Sequence, residues 1–232
     1  MQIMKRTIIL TSLLMLLSTC LLAQKSKSFT VPAGSKVEDC IPFDERYRFP
    51  EFTTGAVLFK NGTRIEAKLN YNYLVREMQY LQVKDTLSFA NENDILQIVI
   101  NNISFVINKG FLEVIRDGKV KVGVREYLNL IDVKKKDPYG QIGSGAATDS
   151  YGSLHTNGQY YKLIVDQDRL FQKVSTYYLA TSSNEFVSFT KKKVIQLFPQ
   201  QKLAIEDYLK LNKVDFNSRN DLLSFADYLN TL

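Results

Sequence analysis

Alternating apolar residues on both sides of Asn101-Asn102 form the clearest hydrophobic pattern in the chain. Asparagine pairs tolerate the positive φ angles that a two-residue hairpin turn requires. With this pair as the turn, six apolar side chains fall on one face in facing pairs: Ile100 and Ile103, Ile98 and Phe105, and Leu96 and Ile107. The pattern therefore predicts an antiparallel hairpin with one face directed into a core.

Two more turn signals, Asn61-Gly62 and Asp117-Gly118, also lie between runs that are rich in β-branched and aromatic residues. The second signal predicts a hairpin in which a strand from residue 119 to residue 125 follows the turn. Hairpins and short links connect the predicted strands here, and no helical period lies between them. The pattern therefore predicts an antiparallel β-meander, either an open sheet or a partly closed barrel or sandwich.

The C-terminal part of the chain changes to a helical period. Thr190 and Ser218 are N-cap residues of predicted helices, and Pro199 ends the first of these helices. An apolar stripe follows Ser218 at helical spacing and consists of Leu222, Phe225, Ala226 and Leu229. Because this stripe must be buried against another element, the predicted fold class is α+β, with an antiparallel β-meander followed by C-terminal α-helices.

These patterns divide the chain into successive stretches. Residues 1–23 are predicted to be a signal peptide, and residues 24–53 an irregular N-terminal lead-in without a sustained period. Residues 54–133 are predicted to form the antiparallel β domain. Residues 134–158 are predicted to be a flexible loop, first basic and then rich in Gly and Ser. Residues 159–232 supply additional strands and the C-terminal helices, which we expect to pack on the β domain.

Residues 1–23 have the three parts of a secretory signal, namely a basic start, an apolar run and a small residue, Ala23, at the cleavage position. The apolar run is short for a membrane span and polar residues follow it at once, so cleavage is favoured over retention as an anchor. Cys20 ends a segment that resembles a bacterial lipoprotein box, but Thr19 is unusual before a lipidated cysteine. We therefore expect an exported protein, periplasmic or associated with the outer envelope, that is not integral to a membrane after cleavage.

Export changes the charge and the thiol content of the chain. The whole sequence has 30 basic and 24 acidic residues; cleavage after Ala23 removes Lys5 and Arg6, so that 28 basic residues leave a net charge of +4. Cleavage also removes Cys20, which makes Cys40 the only cysteine and excludes an intramolecular disulfide. With 45% hydrophobic residues, the core must supply the stability.

The sequence contains a single histidine, His155, within the predicted flexible loop. The histidine spacing of metal sites is absent, and a structural zinc site would need more Cys and His residues than the chain has. A Ser-His or Cys-His catalytic system would have to use this residue, although an unsupported loop positions a general base poorly. The sequence therefore predicts no metal site, no cofactor and no nucleophile-base pair.

Two carboxylates keep one enzymatic alternative open. With Asp117-Gly118 as the turn, Glu113 falls on the apolar face of its hairpin, and Glu126 joins that face if the strand stays regular. Paired carboxylates can catalyse glycoside hydrolysis without any other residue type. The more ordinary interpretation is that a register error or a bulge turns both side chains to solvent.

Lys119, Lys121 and Arg125 alternate along the predicted strand and would give it one basic face. Such a face suits an anionic glycan, a lipid headgroup or an acidic protein surface of the envelope, whereas nucleic acid is an unsuitable partner for an exported protein. Lysines at a strand edge that prevent aggregation would produce the same pattern.

Several stretches together resemble a group of exported Bacteroidota envelope proteins of unknown function, and the Ala23-Gln24 junction is typical of signal peptides in that group. The resemblance covers residues 55–72, 105–121, 177–179, 193–199 and 221–229. It rests on packing and turn residues, so it implies export and an envelope location but transfers no activity.

Two functional hypotheses follow. The first is an exported, non-enzymatic envelope protein that binds a partner or anionic ligand through Lys119, Lys121 and Arg125 on its sheet. The alternative is a carboxylate-dependent hydrolase that acts on envelope glycans through Glu113 and Glu126.

Overall fold

A computed structural model describes residues 27–131, 165, 168–181 and 185–232 of the chain. Within these residues, strands join in one antiparallel sheet, which confirms the predicted α+β class. The strands are β1 (Ser28–Val31), β2 (Thr53–Phe59), β3 (Arg64–Asn72), β4 (Glu77–Gln82), β5 (Asp85–Ser88), β6 (Ile95–Ile100), β7 (Ile103–Ile107), β8 (Phe111–Arg116), β9 (Lys121–Ile131), β10 (Arg169–Ala180) and β11 (Val187–Ser188).

The described helices are α1 (Val37–Cys40), α2 (Phe43–Arg46), α3 (Lys191–Leu197), α4 (Lys202–Asn212) and α5 (Arg219–Leu229). Both predicted N-caps are confirmed. The Thr190 side chain accepts a hydrogen bond from the backbone N–H of Lys193, and the Ser218 side chain accepts one from the N–H of Asp221. These bonds satisfy donors that the first turn of a helix leaves without an intrahelical partner.

The strand order is β1-β10-β9-β8-β7-β6-β2-β3-β4-β5, with β11 paired to β10. Two departures from a simple meander stand out. First, the chain returns after β5, so that β6 pairs with β2 on the side opposite β3. Second, β1 pairs with β10. The stretch that we expected to be irregular, residues 24–53, thus contains a strand and two short helices. A four-residue strand that pairs with a distant part of the chain has too little local pattern to be recognised from sequence.

The middle hairpin has the predicted turn and pairing. Asn101 and Asn102 adopt φ angles of 49° and 64°, and the facing pairs at the turn are as expected. Leu96 is the exception, because the pairing of β6 with β2 shifts register at Phe59. This irregularity turns Ile95 into the core and leaves Leu96 51% exposed, so the prediction that Leu96 faces the core is wrong.

The sheet is open but strongly curled. The backbone N–H of Leu128 in β9 donates to the carbonyl of Tyr73 at 2.9 Å, although four strands separate β3 from β9 in the sheet order. Curling gives the sheet a concave inner face, which carries Ile98, Phe105 and Leu128, and a convex outer face. An apolar inner cluster fills the concavity and includes buried residues of β1, β2, β3, β6, β7, β8, β9 and β10.

A second apolar cluster, the helical cluster, lies at the other end of β9 and β10. Helices α3 to α5 cover Val120, Val122 and Leu179 there. Residues two apart in a strand point to the same side, so Val122 and Leu128 share the inner face. The two clusters therefore occupy opposite ends of one long antiparallel strand pair, β9 and β10.

Several predictions fall outside the described residues. They concern the signal peptide with Cys20, the loop of residues 134–158 with His155, and any additional strand in residues 159–164.

Phe225→Ala should lower the free energy of unfolding by about 3–5 kcal/mol, because it would open a cavity in the helical cluster. Phe225 is fully buried, and its ring centroid lies 5.4 Å from that of Tyr208 and 5.9 Å from that of Phe189. Chemical denaturation would measure the loss. Leu211→Ala is the matched control, since Leu211 is 83% exposed, and an equal loss in both variants would contradict the packing described.

Candidate functional site

Glu113 lies on the inner face within a row of apolar side chains. It pairs across the strands with Phe105 on one side and with Val124 on the other. The bulge that we considered does occur in β8, but it falls beyond Glu113, between Val114 and Arg116. Glu113 therefore stays inside and is only 8% exposed.

Arg48 neutralises this carboxylate. Its Nε donates to one Glu113 oxygen at 2.7 Å and its Nη2 donates to the other at 3.2 Å. This two-point geometry is the strongest arrangement that arginine makes with a carboxylate. Arg48 comes from residues 46–51, here called the strap, which cross the mouth of the inner face before β2. The ion pair thus joins the strap to the middle of the sheet.

Glu126 lies on the same face of β9, two residues beyond Val124, and has its own partners. The Tyr73 hydroxyl donates to Oε2 at 3.2 Å and the Ser175 hydroxyl donates to Oε1 at 3.1 Å. The Lys173 ammonium lies 3.7 Å from Oε2 and 3.8 Å from the centre of the Tyr73 ring. Arg48, Glu113, Glu126 and Lys173 therefore form a charged seam, with two acids and two bases, between the two apolar clusters.

The structure brings Glu113 and Glu126 to one small cavity of about 10 Å³. Burial raises the pKa of Tyr71 and of Tyr73, which also line this cavity, and the charge of Glu126 raises that of Tyr73 further. Both hydroxyls therefore remain protonated donors at neutral pH. A space of this size accepts a water molecule but not a sugar ring.

A much larger depression, the outer groove, crosses the outer face of β6, β7 and β8. It encloses about 740 Å³. Three lysines, Lys60, Lys109 and Lys121, line it together with one carboxylate, that of Asp117. The remaining polar lining consists of amides and a hydroxyl, from Asn93, Gln97, Asn102, Ser104 and Asn108, and the apolar lining includes Leu96, Val106 and Phe186.

The three basic residues that the sequence placed on one face have different surroundings in the structure. Lys119 is exposed in the turn, because β9 begins at Lys121 and not at residue 119. The cause is Asn230 at the end of α5, whose side chain accepts from the N–H of Val120 and donates to its carbonyl. These contacts replace strand pairing at Val120. Lys121 lines the outer groove and lies 3.1 Å from a carboxylate oxygen of Asp117.

Arg125 is engaged within the fold. Its guanidinium donates to the Tyr178 hydroxyl at 3.0 Å, to the Phe111 carbonyl at 3.3 Å and to the Asn108 carbonyl. It also lies over the Tyr178 ring, 5.0 Å from the centroid. The expectation that Lys119, Lys121 and Arg125 form one exposed basic face is therefore wrong, since only Lys121 belongs to a depression.

Lys60 and Lys109 were not predicted from the sequence to be site residues. Each lies in the tight turn that follows a strand, Lys60 after β2 and Lys109, with a φ angle of 53°, after β7. Their positions in the chain gave no reason to associate them with Lys121. They share a groove because β6 pairs with β2 while β7 and β8 follow β6 in the sheet.

Comparison with known proteins gives no relative for this chain. No protein-family model matches it, and no curated protein or solved structure does. The envelope location and the resemblance to exported proteins accordingly stay predictions. In the part of the chain that the structure describes, no helix is long and apolar enough to span a membrane, and no group of three or more His, Cys, Asp or Glu side chains is arranged to hold a metal ion.

One further carboxylate, that of Glu92, has a raised pKa. Burial, and then the charge of Glu77, raise the pKa of Glu92 to about 7, while Arg125 acts in the opposite direction. Glu92 begins the 3₁₀ turn Glu92–Asp94 that precedes β6. Perturbed carboxylates often mark functional sites, but this one does not line the outer groove or the cavity beside Glu113.

Arg125→Gln should lower the free energy of unfolding by about 1–3 kcal/mol, because it removes charge-assisted hydrogen bonds to half-buried partners. Lys119→Gln removes the same charge from an exposed turn and should leave stability unchanged. Denaturant titration of both variants would measure the difference. Equal stability of the two would mean that Arg125 is free for ligands after all.

Glu92→Gln should raise the melting temperature at about pH 8 and have no effect at about pH 4. The folded-state pKa lies above the ordinary value of 4.5, so protonation of Glu92 stabilises the fold fully below that value. This contribution is lost as the pH rises through about 7, where the buried carboxylate becomes charged. Glu51→Gln, at an exposed position, is the control, and a pH-independent effect at Glu92 would contradict the assignment.

Proposed function

We propose that this chain is an exported, non-enzymatic protein of the cell envelope whose outer groove binds an anionic glycan. The observation that carries the proposal is the convergence of Lys60, Lys109 and Lys121 on one depression. The export signal predicted in residues 1–23 supplies the compartment.

The charge of the groove favours an anionic ligand. Lys60 and Lys109 are exposed at its rim, and Lys121 retains 26% side-chain exposure. Asp117 is 76% exposed, so its contact with Lys121 is a solvent-screened ion pair that an incoming anion can replace at little cost. Three positive charges against one negative charge leave the groove with an excess of about two positive charges.

The uncharged lining favours a glycan over the other anionic partners. Amide and hydroxyl groups match the hydroxyl groups of a sugar, and Gln97 and Ser104 are already aligned by a 2.7 Å hydrogen bond between them. Leu96, which is 51% exposed, offers apolar surface to a sugar ring. The volume of about 740 Å³ falls within the range of small-ligand sites, whereas an acidic protein surface would need a larger and flatter area.

The carboxylate-dependent hydrolase remains a second candidate, because Glu113 and Glu126 line the same cavity. Two features weigh against it. Arg48 forms a two-point ion pair with Glu113, and the cavity has no room for a sugar ring. An enzyme of this type would have to break that ion pair and open the inner face before binding substrate.

The binding proposal can be tested by replacing Lys60, Lys109 and Lys121 together with Gln. Binding to a soluble polyuronate should weaken by about tenfold, if each lost contact contributes roughly 0.5 kcal/mol. Added salt should weaken the binding of the unmodified protein, because the lysines are exposed to solvent. Titration calorimetry at low and physiological ionic strength would measure both effects.

The matched control replaces Lys191, Lys192 and Lys193 of α3, which are exposed and carry the same total charge. Binding should survive in this variant. Equal losses in the two triple variants would indicate nonspecific attraction, and no loss in either would exclude the outer groove as the site. Preference for vesicles with anionic headgroups over the polyuronate would overturn the choice of a glycan.

A further inference from the structure

The small cavity beside the charged seam lies where β3, β8 and β9 approach each other on the inner face. Aromatic rings of Phe105 and Phe111 close it toward the inner cluster, and both residues are only 2% exposed. Among its lining residues, Glu126 is the one that retains substantial contact with solvent. The cavity is therefore an internal space with one side near the surface.

Tyr71 lines this cavity, and its buried hydroxyl lacks a hydrogen-bond partner among the described residues. Tyr71 is 4% exposed, so bulk water does not satisfy the group. A buried hydroxyl without a partner loses its hydration and gains nothing in return, which is why such groups are rare in folded proteins. Because burial keeps the phenol protonated, the hydroxyl offers a donor to the cavity.

The two carboxylates offer acceptors to the same space. Arg48 occupies one acceptor position on each Glu113 oxygen, and Tyr73 and Ser175 do the same for Glu126. A carboxylate has about four acceptor positions, so each retains unused capacity. The cavity thus combines one free donor with two free acceptors.

We infer that this cavity binds a single ordered water molecule, which accepts a hydrogen bond from Tyr71 and donates to Glu113 and Glu126. Three hydrogen bonds are typical of a buried water, and the volume of about 10 Å³ is at the size that one water requires. The water connects β3, β8 and β9 beside the backbone hydrogen bond that Leu128 donates to Tyr73.

The charges around the small cavity favour a water molecule over a cation as its occupant. Arg48 lies within hydrogen-bond distance of Glu113, and Lys173 lies 3.7 Å from Glu126, so the carboxylates are already neutralised. A cation would add a positive charge close to two others. The water also completes a continuous polar path from the strap, through Arg48 and Glu113, to Glu126 and Lys173 on β10. This inference is independent of the proposed glycan binding.

The test combines a crystal structure of the full chain at atomic resolution with water relaxation measurements on the same protein. The crystal structure of the unmodified protein should show one water within hydrogen-bond distance of the Tyr71 hydroxyl. The ¹⁷O relaxation dispersion should detect this water as one that stays bound much longer than surface water. Tyr71→Phe should lose that long-lived water and melt at a lower temperature. Tyr80→Phe is the matched control, because the Tyr80 ring packs on Phe89 away from the cavity and should leave the water in place.

Three results would overturn the inference. They are an empty cavity in the unmodified protein, a cation in place of the water, and a higher melting temperature for Tyr71→Phe. The last result would mean that the hydroxyl has no partner at all, so that its removal relieves a cost.

Discussion

Buried amide side chains fasten the strap to β3 and β4, and the rest of the inner face depends on that attachment. Asn70 accepts from the backbone N–H of Phe49 and donates to the carbonyls of Phe49 and Glu51. Gln79 accepts from both Asn72 and the Tyr47 hydroxyl. Asn70, Asn72 and Gln79 are almost completely buried, so each unmade bond would cost the full desolvation of an amide.

The attachment places two neighbouring residues of the strap over the concavity. Phe49 packs edge-on against Phe105, with 6.4 Å between ring centroids, while Arg48 reaches Glu113. Without the strap, Glu113 would be an uncompensated charge among apolar side chains. A buried ion pair contributes little net stability compared with apolar packing, but removal of one partner is strongly unfavourable. The pair therefore acts mainly by making any other arrangement of the strap costly.

The parts of the fold that follow from local pattern were predictable, and the parts set by distant contacts were not. The turn at Asn101-Asn102 and the caps at Thr190 and Ser218 depend on a few adjacent residues, and all of them are confirmed. Leu96 was misassigned because a bulge depends on a second strand. The basic face was misassigned for the same kind of reason, since Asn230, more than a hundred positions away in the chain, lengthens the turn before Lys121. Among the residues that line the candidate groove, Lys121 was the one predicted from sequence to bind a ligand.

The antiparallel pair of β9 and β10 is shared by two cooperative units of the described fold. Val122 and Leu179 belong to the helical cluster, while Leu128 and Phe171 on the same strands belong to the inner cluster. Detachment of α3 to α5 would uncover one end of this strand pair and leave the contacts of the inner cluster at the other end intact. Amide protons of the helices can therefore exchange with solvent through partial opening, whereas those at the centre of β9 exchange only when both units come apart. The charged seam lies between the part of the fold whose amide protons exchange by partial opening and the part whose amide protons exchange only when both units come apart.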